Sequence, residues 1–454
     1  MYKKGRCDRR KPSKDYRVKV TSKLNYHINV SETFKGRHTH GQEGAFTRNR
    51  LLPFGHLIIS ILRMGKGGLQ RELDSFFKET ENEQFSIRKI TKSGFSRSRR
   101  KLSPDAFLEL NDIIWKDFYE EVDFYGYHGH KLLAVDGTYL NLPNHPSIHD
   151  EFDRRGMGRG KKKDLPKSMC LMSALYDPVN YLTLDVQTGP TDGNEQDLLL
   201  KHLPKVERGD ILLLDRGYPA TALFAGLQSS GIHFIVRMRE HWLPVREFRA
   251  SRKRDTIVTL TVPDKYYDSC QEQFSSMKRE VKCRLVKITL ENGEEEILGT
   301  SLLDSAKYKL PELGELYHIR WGTEEGYKMF KARVQVEAFS GKTATAVKQD
   351  IYAKVMMMTL CAALAFPIEE KVIAECNADK RKGNIKHSRK INRTFAYWST
   401  KCILIGMFIK RTVRLALAVF DKQVAANTEI VRPGRHEKRK RRPPRLYHMN
   451  YKDV

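Results

Sequence analysis

Two apolar runs in this chain end alike. Residues 131–138 read KLLAVDGT, and residues 210–217 read DILLLDRG. Each is a short stretch of Leu, Ile, Val and Ala without polar alternation, closed by an aspartate with a glycine close behind it. A run that is apolar on every residue has no face to give to water. Each is therefore expected to be a strand buried on both sides, inside a sheet covered by helices. Such a strand carries its aspartate, Asp136 or Asp215, to the strand end, where the backbone holds it rigidly and a site can open. Between the two runs, 168–177 and 181–189 are β-rich and joined at 177–180, so a three-stranded meander is expected. A short helix over 194–203 follows. Asp192, Glu195 and Asp197 near its start read as partners of the helix dipole. Beyond Asp215 come a helix at 220–229 and a buried strand at 232–238.

A third acid sits in 317–331, YHIRWGTEEGYKMFK. At about 100° per residue on a helix, Tyr317, Arg320, Glu324, Lys328 and Lys331 share a stripe roughly 80° wide. Leu316, Ile319, Tyr327, Phe330 and Val334 take the adjoining face. One carboxylate among three cations and a phenol admits two readings. The plain one is an amphipathic helix with Arg320–Glu324 and Glu324–Lys328 ion pairs. The other is a phosphate-gripping stripe in which Glu324 is a metal ligand.

Charge favours the second. The chain of 454 residues has 82 Lys and Arg against 55 Asp and Glu, a net charge of +27. A polyanion is the first partner to expect. Nucleic acid is preferred to a membrane. Residues 351–366 are apolar but short and hold Lys354, and 396–420 are interrupted by Lys401, Lys410, Arg411 and Arg414. The charged N-terminus has no apolar run behind it, so no signal peptide is expected. Seven cysteines without a Cys-x-x-Cys pair argue against a disulfide framework or a thiolate zinc site, and for a reducing compartment.

The cations cluster. Residues 1–40 carry twelve Lys and Arg against three acids and read as a loose basic arm without periodicity. From Arg88 to Lys101 there are seven cations and no acid. A turn at Ser93–Gly94 and a short basic helix over 95–102 suggest a helix-turn-helix-like DNA reader with Arg97, Arg99, Arg100 and Lys101 as contacts, or else a solvated basic helix pair. Ser103 then caps the next helix, with Pro104 at its first position. Residues 345–366 read as a long apolar helix stopped by Pro367, and 394–424 as another helix. The stretch 240–305 is β-type, with a hairpin signal at 291–293. Residues 432–446 hold eight Lys and Arg against one acid and read as a tail for a polyanion. The expected division is a basic arm (1–45), a helical DNA-binding region (46–125), the first part of an α/β core (126–239), a β-rich insertion (240–305), the second part of the core with the site helix (306–366), a helical C-terminal region (367–430) and a basic tail (431–454).

Meander, helix, strand, helix, strand is the order of a ribonuclease-H-like α/β core. Asp136, Asp215 and Glu324, three hard oxygen donors on rigid elements, suit Mg²⁺ or Mn²⁺. Two such ions would activate an attacking oxygen and steady a leaving one. His38–His40 and His128–His130 are His-x-His pairs without an acid at fixed spacing, and they read against metal binding.

At these residues the chain resembles the insertion sequence 4 family of DDE transposases. Tyr317, Arg320, Glu324 and Lys331 stand at the spacing of that family's Tyr-Arg-Glu-Lys signature, with Trp321 and Lys328 also in place. VDGT around Asp136 and LLLDRGY around Asp215 are similar to its two aspartate motifs. The resemblance spans roughly 46 to 433. It implies cut-and-paste transposition, with Asp136, Asp215 and Glu324 holding two Mg²⁺ and Tyr317, Arg320, Lys331 and Lys328 gripping phosphates beside the cleaved bond. It implies terminal inverted repeats and target DNA as double-stranded substrates, a homodimer bridging two ends, and a prokaryotic, cytoplasmic, nucleoid-associated protein. In that family a β-rich insertion separates the second Asp from the Glu, and an aromatic there stacks on a flipped base. Trp242 is the only tryptophan in this chain's insertion. Two rivals stay open: a catalytically inactive or repurposed DNA-binding protein, and a metal-dependent nuclease that joins no strands.

Overall fold

The protein is described by a computed structural model over residues 16–39, 45–46, 51–152, 168–274, 276–290, 293–383 and 387–431. The basic tail after Val431 and the whole of the basic stretch 154–163 lie outside these. The described residues fall into two compact units. One takes in Asp123–Thr138 and Leu171–Tyr327. The other takes in Arg10–Val122, Tyr139–Cys170 and Lys328–Val454.

Residues 1–15 of the expected loose arm lie outside the described residues, and the described remainder is largely helical. Helix α1 (Tyr16–Asn29) buries Tyr16, Val20, Leu24 and Ile28, one residue per turn. So narrow an apolar stripe is easily hidden among cations, but it suffices to dock a helix. Ser31 caps α2 (Glu32–Arg37) by accepting from the Phe34 N–H. Helices α3 (Phe54–Arg63) and α4 (Leu69–Glu81) follow, with Asn82 ending α4 in the left-handed region at φ 57°. Helix α5 (Lys92–Arg99) starts at Thr91, whose side chain accepts from the Gly94 N–H. Ser93 and Gly94 thus lie in its first turn rather than in a turn before it. Ser103 accepts from the Asp105 N–H at the start of α6 (Asp105–Glu121).

The sheet begins with β1 (Leu132–Asn141). Helix α7 (Pro146–Phe152) precedes the meander strands β2 (Met169–Asp177) and β3 (Leu182–Gly189). Then come α8 (Glu195–His202), β4 (Ile211–Leu214), α9 (Thr221–Ser229) and β5 (His233–Arg237). The stretch that changes composition supplies α10 (Leu243–Ala250), β6 (Asp255–Thr261), α11 (Asp264–Gln273), β7 (Glu280–Thr289) and β8 (Glu295–Thr300). All eight strands form one sheet in the order β3-β2-β1-β4-β5-β8-β7-β6. Strands β1, β4 and β5 are parallel, and β2 with β3 is antiparallel. This is the ribonuclease-H-like order. Strands β6 to β8 are not a separate sheet. They extend the core sheet past β5, with Val236 paired to Gly299. Leu132, Ala134, Ile211, Leu213 and Ile235 give one face of the central strands to a buried cluster. Leu313, Leu316 and Tyr317 of α12 (Leu310–Ile319) belong to the same cluster. Leu133, Val135, Leu212 and Leu214 on the opposite face are equally buried, so both faces of the central strands contribute apolar burial at about 25 cal/mol per Å².

After α12 the chain continues as α13 (Trp321–Lys328) and then a π-helical segment, Met329–Val334. Helix α14 (Ala344–Arg381) runs through Pro367 instead of stopping there. Proline removes an N–H that would reach the carbonyl four residues back, at Ala363. The Tyr16 hydroxyl donates to that carbonyl instead, and Arg17 donates to the next one, Leu364 O, at 3.2 Å. Helix α1 thus supplies what Pro367 withholds. By length and hydropathy α14 could cross a membrane, but 89% of its most apolar window is buried inside the protein. It is a core helix, packed by Phe366 against Phe118 of α6 with rings 5.0 Å apart. Strand β9 (Ser388–Ile391) and helices α15 (Arg393–Phe408) and α16 (Val413–Ala426) follow, then β10 (Thr428–Val431), which pairs with β9. The single helix expected over 394–424 is two, broken where Arg411 takes φ 57°.

Tyr16→Phe should leave the Ala363 carbonyl buried without a donor. Urea unfolding should show a loss of about 1–3 kcal/mol, and an unchanged midpoint would refute the account of Pro367.

Candidate active site

Strands β1 and β4 pair in parallel at Leu132–Ile211, Leu133–Leu212 and Ala134–Leu213. Two residues beyond the last pair, on each strand, stand Asp136 and Asp215. Adjacent strands lie about 4.8 Å apart, so the register sets the two aspartates side by side. Asp215 follows β4 directly. Asp136 lies inside β1, which runs on to Asn141. It is the pairing with β4, not the strand, that ends before Asp136. Each aspartate turns Oδ1 onto a nearby backbone N–H, Gly137 at 2.9 Å and Gly217 at 2.7 Å. Arg239 holds the same turn, donating to the carbonyls of Arg216 at 3.0 Å and Gly217 at 2.7 Å.

A third carboxylate stands here that the sequence reading assigned to the dipole of α8. Glu195 is the first residue of that helix, after the Asn194 cap. A Cβ on Gly137 would stand 2.4 Å from its Oε1, and one on Gly217 would stand 3.7 Å from its Oε2. Burial first, then Asp215 and Asp136, push the Glu195 carboxyl above its ordinary range. Asp192 and Asp197, the other acids near that helix start, are exposed. Helix α8 is fixed at its other end by His202. Its Nδ1 meets Asp185 Oδ2 at 2.7 Å and its Nε2 meets Ser173 Oγ at 3.0 Å, all fully buried.

Two unmet polar atoms accompany these acids in the same unit. Tyr218 is completely buried and its hydroxyl has no hydrogen-bond partner. Burial, then the charge of Glu195, raises its pKa, with Tyr327, Asp136 and Asp215 adding to it. The Arg320 Nε is also buried without an acceptor. Its guanidinium sits 5.5 Å from the centre of the Tyr317 ring. Tyr317 itself is buried in the core cluster, and burial raises its pKa.

The stretch 317–331 is not one uniform helix. It passes from α12 through Arg320 into α13, and then widens into the π-helical segment from Met329. Helix α13 lies close to the meander. A Cβ on Gly322 would stand 3.1 Å from Pro178, and one on Gly326 would stand 3.1 Å from the Tyr176 ring. Tyr327 donates its hydroxyl to the Asp136 carbonyl at 2.5 Å. Glu324 sits one turn earlier on α13, and its side chain lies outside the described residues.

In the other unit, Lys331 donates to the Tyr139 carbonyl at 2.8 Å, and burial lowers its pKa. Lys328 is exposed. Of the four cations assigned to DNA contact near α5, Arg97 and Arg100 are exposed and Lys101 is half-buried. Arg99 corrects that expectation. It is 3% exposed and donates to Asp350 at 3.0 Å, Gln349 at 2.8 Å and Ser340 at 2.8 Å. A guanidinium so engaged is a structural ion pair with nothing left for a phosphate.

Among the described residues no three His, Cys, Asp or Glu side chains come close enough to hold one ion. The donor set nevertheless fits a hard divalent cation. The acids are carboxylates on rigid elements, Asp215 and Asp136 raise the Glu195 pKa, and the buried Tyr218 hydroxyl on which the three acids act lacks a partner.

Residues 127–360 match the family described as the transposase DDE domain. The transposase InsG for insertion sequence element IS4, from Escherichia coli K12, is 25% identical over 242 residues, 51% of this chain and 51% of that protein. The chain thus spans about half the length of the curated relative it matches. A piggyBac transposase, solved by cryo-EM in a synaptic complex with hairpin DNA, aligns over 91% of this chain and 87% of its own at 11% identity, with a TM-score of 0.46.

Arg99→Ala should strand Asp350 as a buried, unpaired charge. The expected loss in urea unfolding is roughly 3–5 kcal/mol, against within about 0.5 kcal/mol for Arg97→Ala and Arg100→Ala. Equal effects of the three would overturn the distinction between Arg99 and its neighbours.

Proposed function

Because the chain belongs to the family of transposase DDE domains, we propose that it is a DDE transposase of the insertion sequence 4 type, cutting DNA at terminal inverted repeats and joining the freed end to target DNA. The observation that carries this reading is the β1–β4 register, which sets Asp136 and Asp215 side by side at the edge of a rigid sheet. Glu324, one turn before the tyrosine that bonds the Asp136 carbonyl, is the third ligand in this reading. Mg²⁺ or Mn²⁺ held by these three, one ion or two, would polarise the phosphodiester and make water or a 3′-hydroxyl a competent nucleophile.

The protein's own groups then have separate work. Tyr327 and Arg239 fix the backbone at Asp136 and after Asp215, so the carboxylates hold their spacing as substrate charge arrives. Arg320 has a buried Nε that lacks an acceptor, and a phosphate oxygen is the acceptor it suits. Tyr317 lies under that guanidinium and sets its plane. Lys331 secures the outer end of β1 through the Tyr139 carbonyl with one N–H, and in this reading its ammonium also contacts phosphate. Arg97, Arg100, Lys101, Lys328 and the net charge of +27 draw the duplex in. The reading includes two copies acting on paired element ends in the cell interior.

The test is cleavage of a duplex carrying the element's own inverted repeats, with Mg²⁺ present. Asp136→Asn, Asp215→Asn and Glu324→Gln should each lose roughly a thousandfold or more, several kcal/mol of charge stabilisation. Strand-transfer products should appear with the wild-type protein. Cleavage without joined products would leave a nuclease. Equal behaviour of wild type and Asp136→Asn would end the enzymatic reading. DNA affinity should also fall steeply between about 50 and 200 mM salt, and a flat response would refute the phosphate contacts.

A further inference from the structure

We propose that Glu195 and Tyr218 belong to the divalent-cation site, Glu195 as a further oxygen ligand and Tyr218 as the hydroxyl that orients the ligands there. The inference rests on the reading of Asp136 and Asp215 as cation ligands and extends it to two residues outside the Asp-Asp-Glu set.

Position is the first argument. The Glu195 carboxylate runs between Gly137, the residue after Asp136, and Gly217, two residues after Asp215. At Gly137 any side chain would collide with it, since a Cβ would stand 2.4 Å from Oε1. A helix-end glutamate serving only the dipole faces water. This one is turned inward between two other acids. Tyr218 is the second argument and is independent of the acids' spacing. A buried hydroxyl without a partner is costly, and the Tyr218 hydroxyl has none at full burial. The charges acting on it are those of Glu195, Asp136 and Asp215, with Tyr327 beside them. Third, the placement is rigid, because His202 locks α8 to Asp185 and Ser173. Asp136 and Asp215 each hold one oxygen on a backbone N–H, and Glu195 brings a further carboxylate from another element.

The experiment is Mn²⁺ titration of the full chain by calorimetry, with thermal unfolding run with and without Mn²⁺. Compared are wild type, Glu195→Gln, Tyr218→Phe and Asp136→Asn. Loss of a ligand or of its orienting partner should raise the Mn²⁺ dissociation constant about tenfold or more in Glu195→Gln and Tyr218→Phe. Without Mn²⁺, Glu195→Gln should melt at or above the wild-type temperature, because a like charge beside Asp136 and Asp215 has gone. With Mn²⁺ it should lose most of the stabilisation that wild type gains. A purely structural Glu195 gives the opposite pattern, lower melting without Mn²⁺ and unchanged affinity, and that result overturns the proposal. Wild-type affinity in Glu195→Gln alongside weakened Asp136→Asn overturns this inference alone. Absence of Mn²⁺ binding by wild type overturns the cation reading as well.

Discussion

The parallel pairing of β1 with β4 is the constraint on which the site depends. Three residue pairs fix the register, and side chains alternate with a period of two along a strand. A slip of one residue would turn Asp136, with Leu132 and Ala134, to the opposite face of the sheet. The apolar face and the acidic edge are therefore specified together. The burial of Leu132, Ala134, Ile211 and Leu213 in one cluster is what prevents the aspartates from moving apart, although like charges side by side favour separation. A few kcal/mol of repulsion is absorbed by a face of the sheet that buries several large apolar side chains.

Around that pair, each supporting element is held by contacts that leave the acids undisturbed. Helix α13 is tied to the Asp136 carbonyl rather than to its carboxylate. The turn after Asp215 is held through carbonyls by Arg239. Helix α8 is anchored at its far end by His202. In the other unit, Arg99 and Asp350 are joined inside a network with Gln349 and Ser340, which ties α5 to α14.

The strands were legible because buried strands show as unbroken apolar runs, and the aspartates because each follows such a run. Glu195 was not. A glutamate in the first turn of a helix is what the dipole alone would select, and only Gly137 and Gly217 hinted that something must pass close by. Helix α1 was hidden because four apolar residues spaced by four, Tyr16 to Ile28, are outvoted by the cations between them. Pro367 misled for a non-local reason. The donor that lets α14 continue comes from Tyr16, 347 positions away in the chain, and no window around Pro367 contains it. Arg99 looked like its exposed neighbours, since burial on a short basic helix depends on what packs against one face.

The bond between Tyr16 and Ala363 also sets an order of assembly. The unit that holds Asp136 and Asp215 is complete once Tyr327 has been made, whereas α1 and α6 must wait for α14. At about 5–20 residues per second on the ribosome, the roughly 220 residues between α6 and α14 take on the order of 10–45 seconds. For that time the faces of α1 and α6 that α14 covers stay open, while the strands of the acidic sheet are being made. That interval ends when α14, which carries Pro367 within it, receives a hydroxyl from α1.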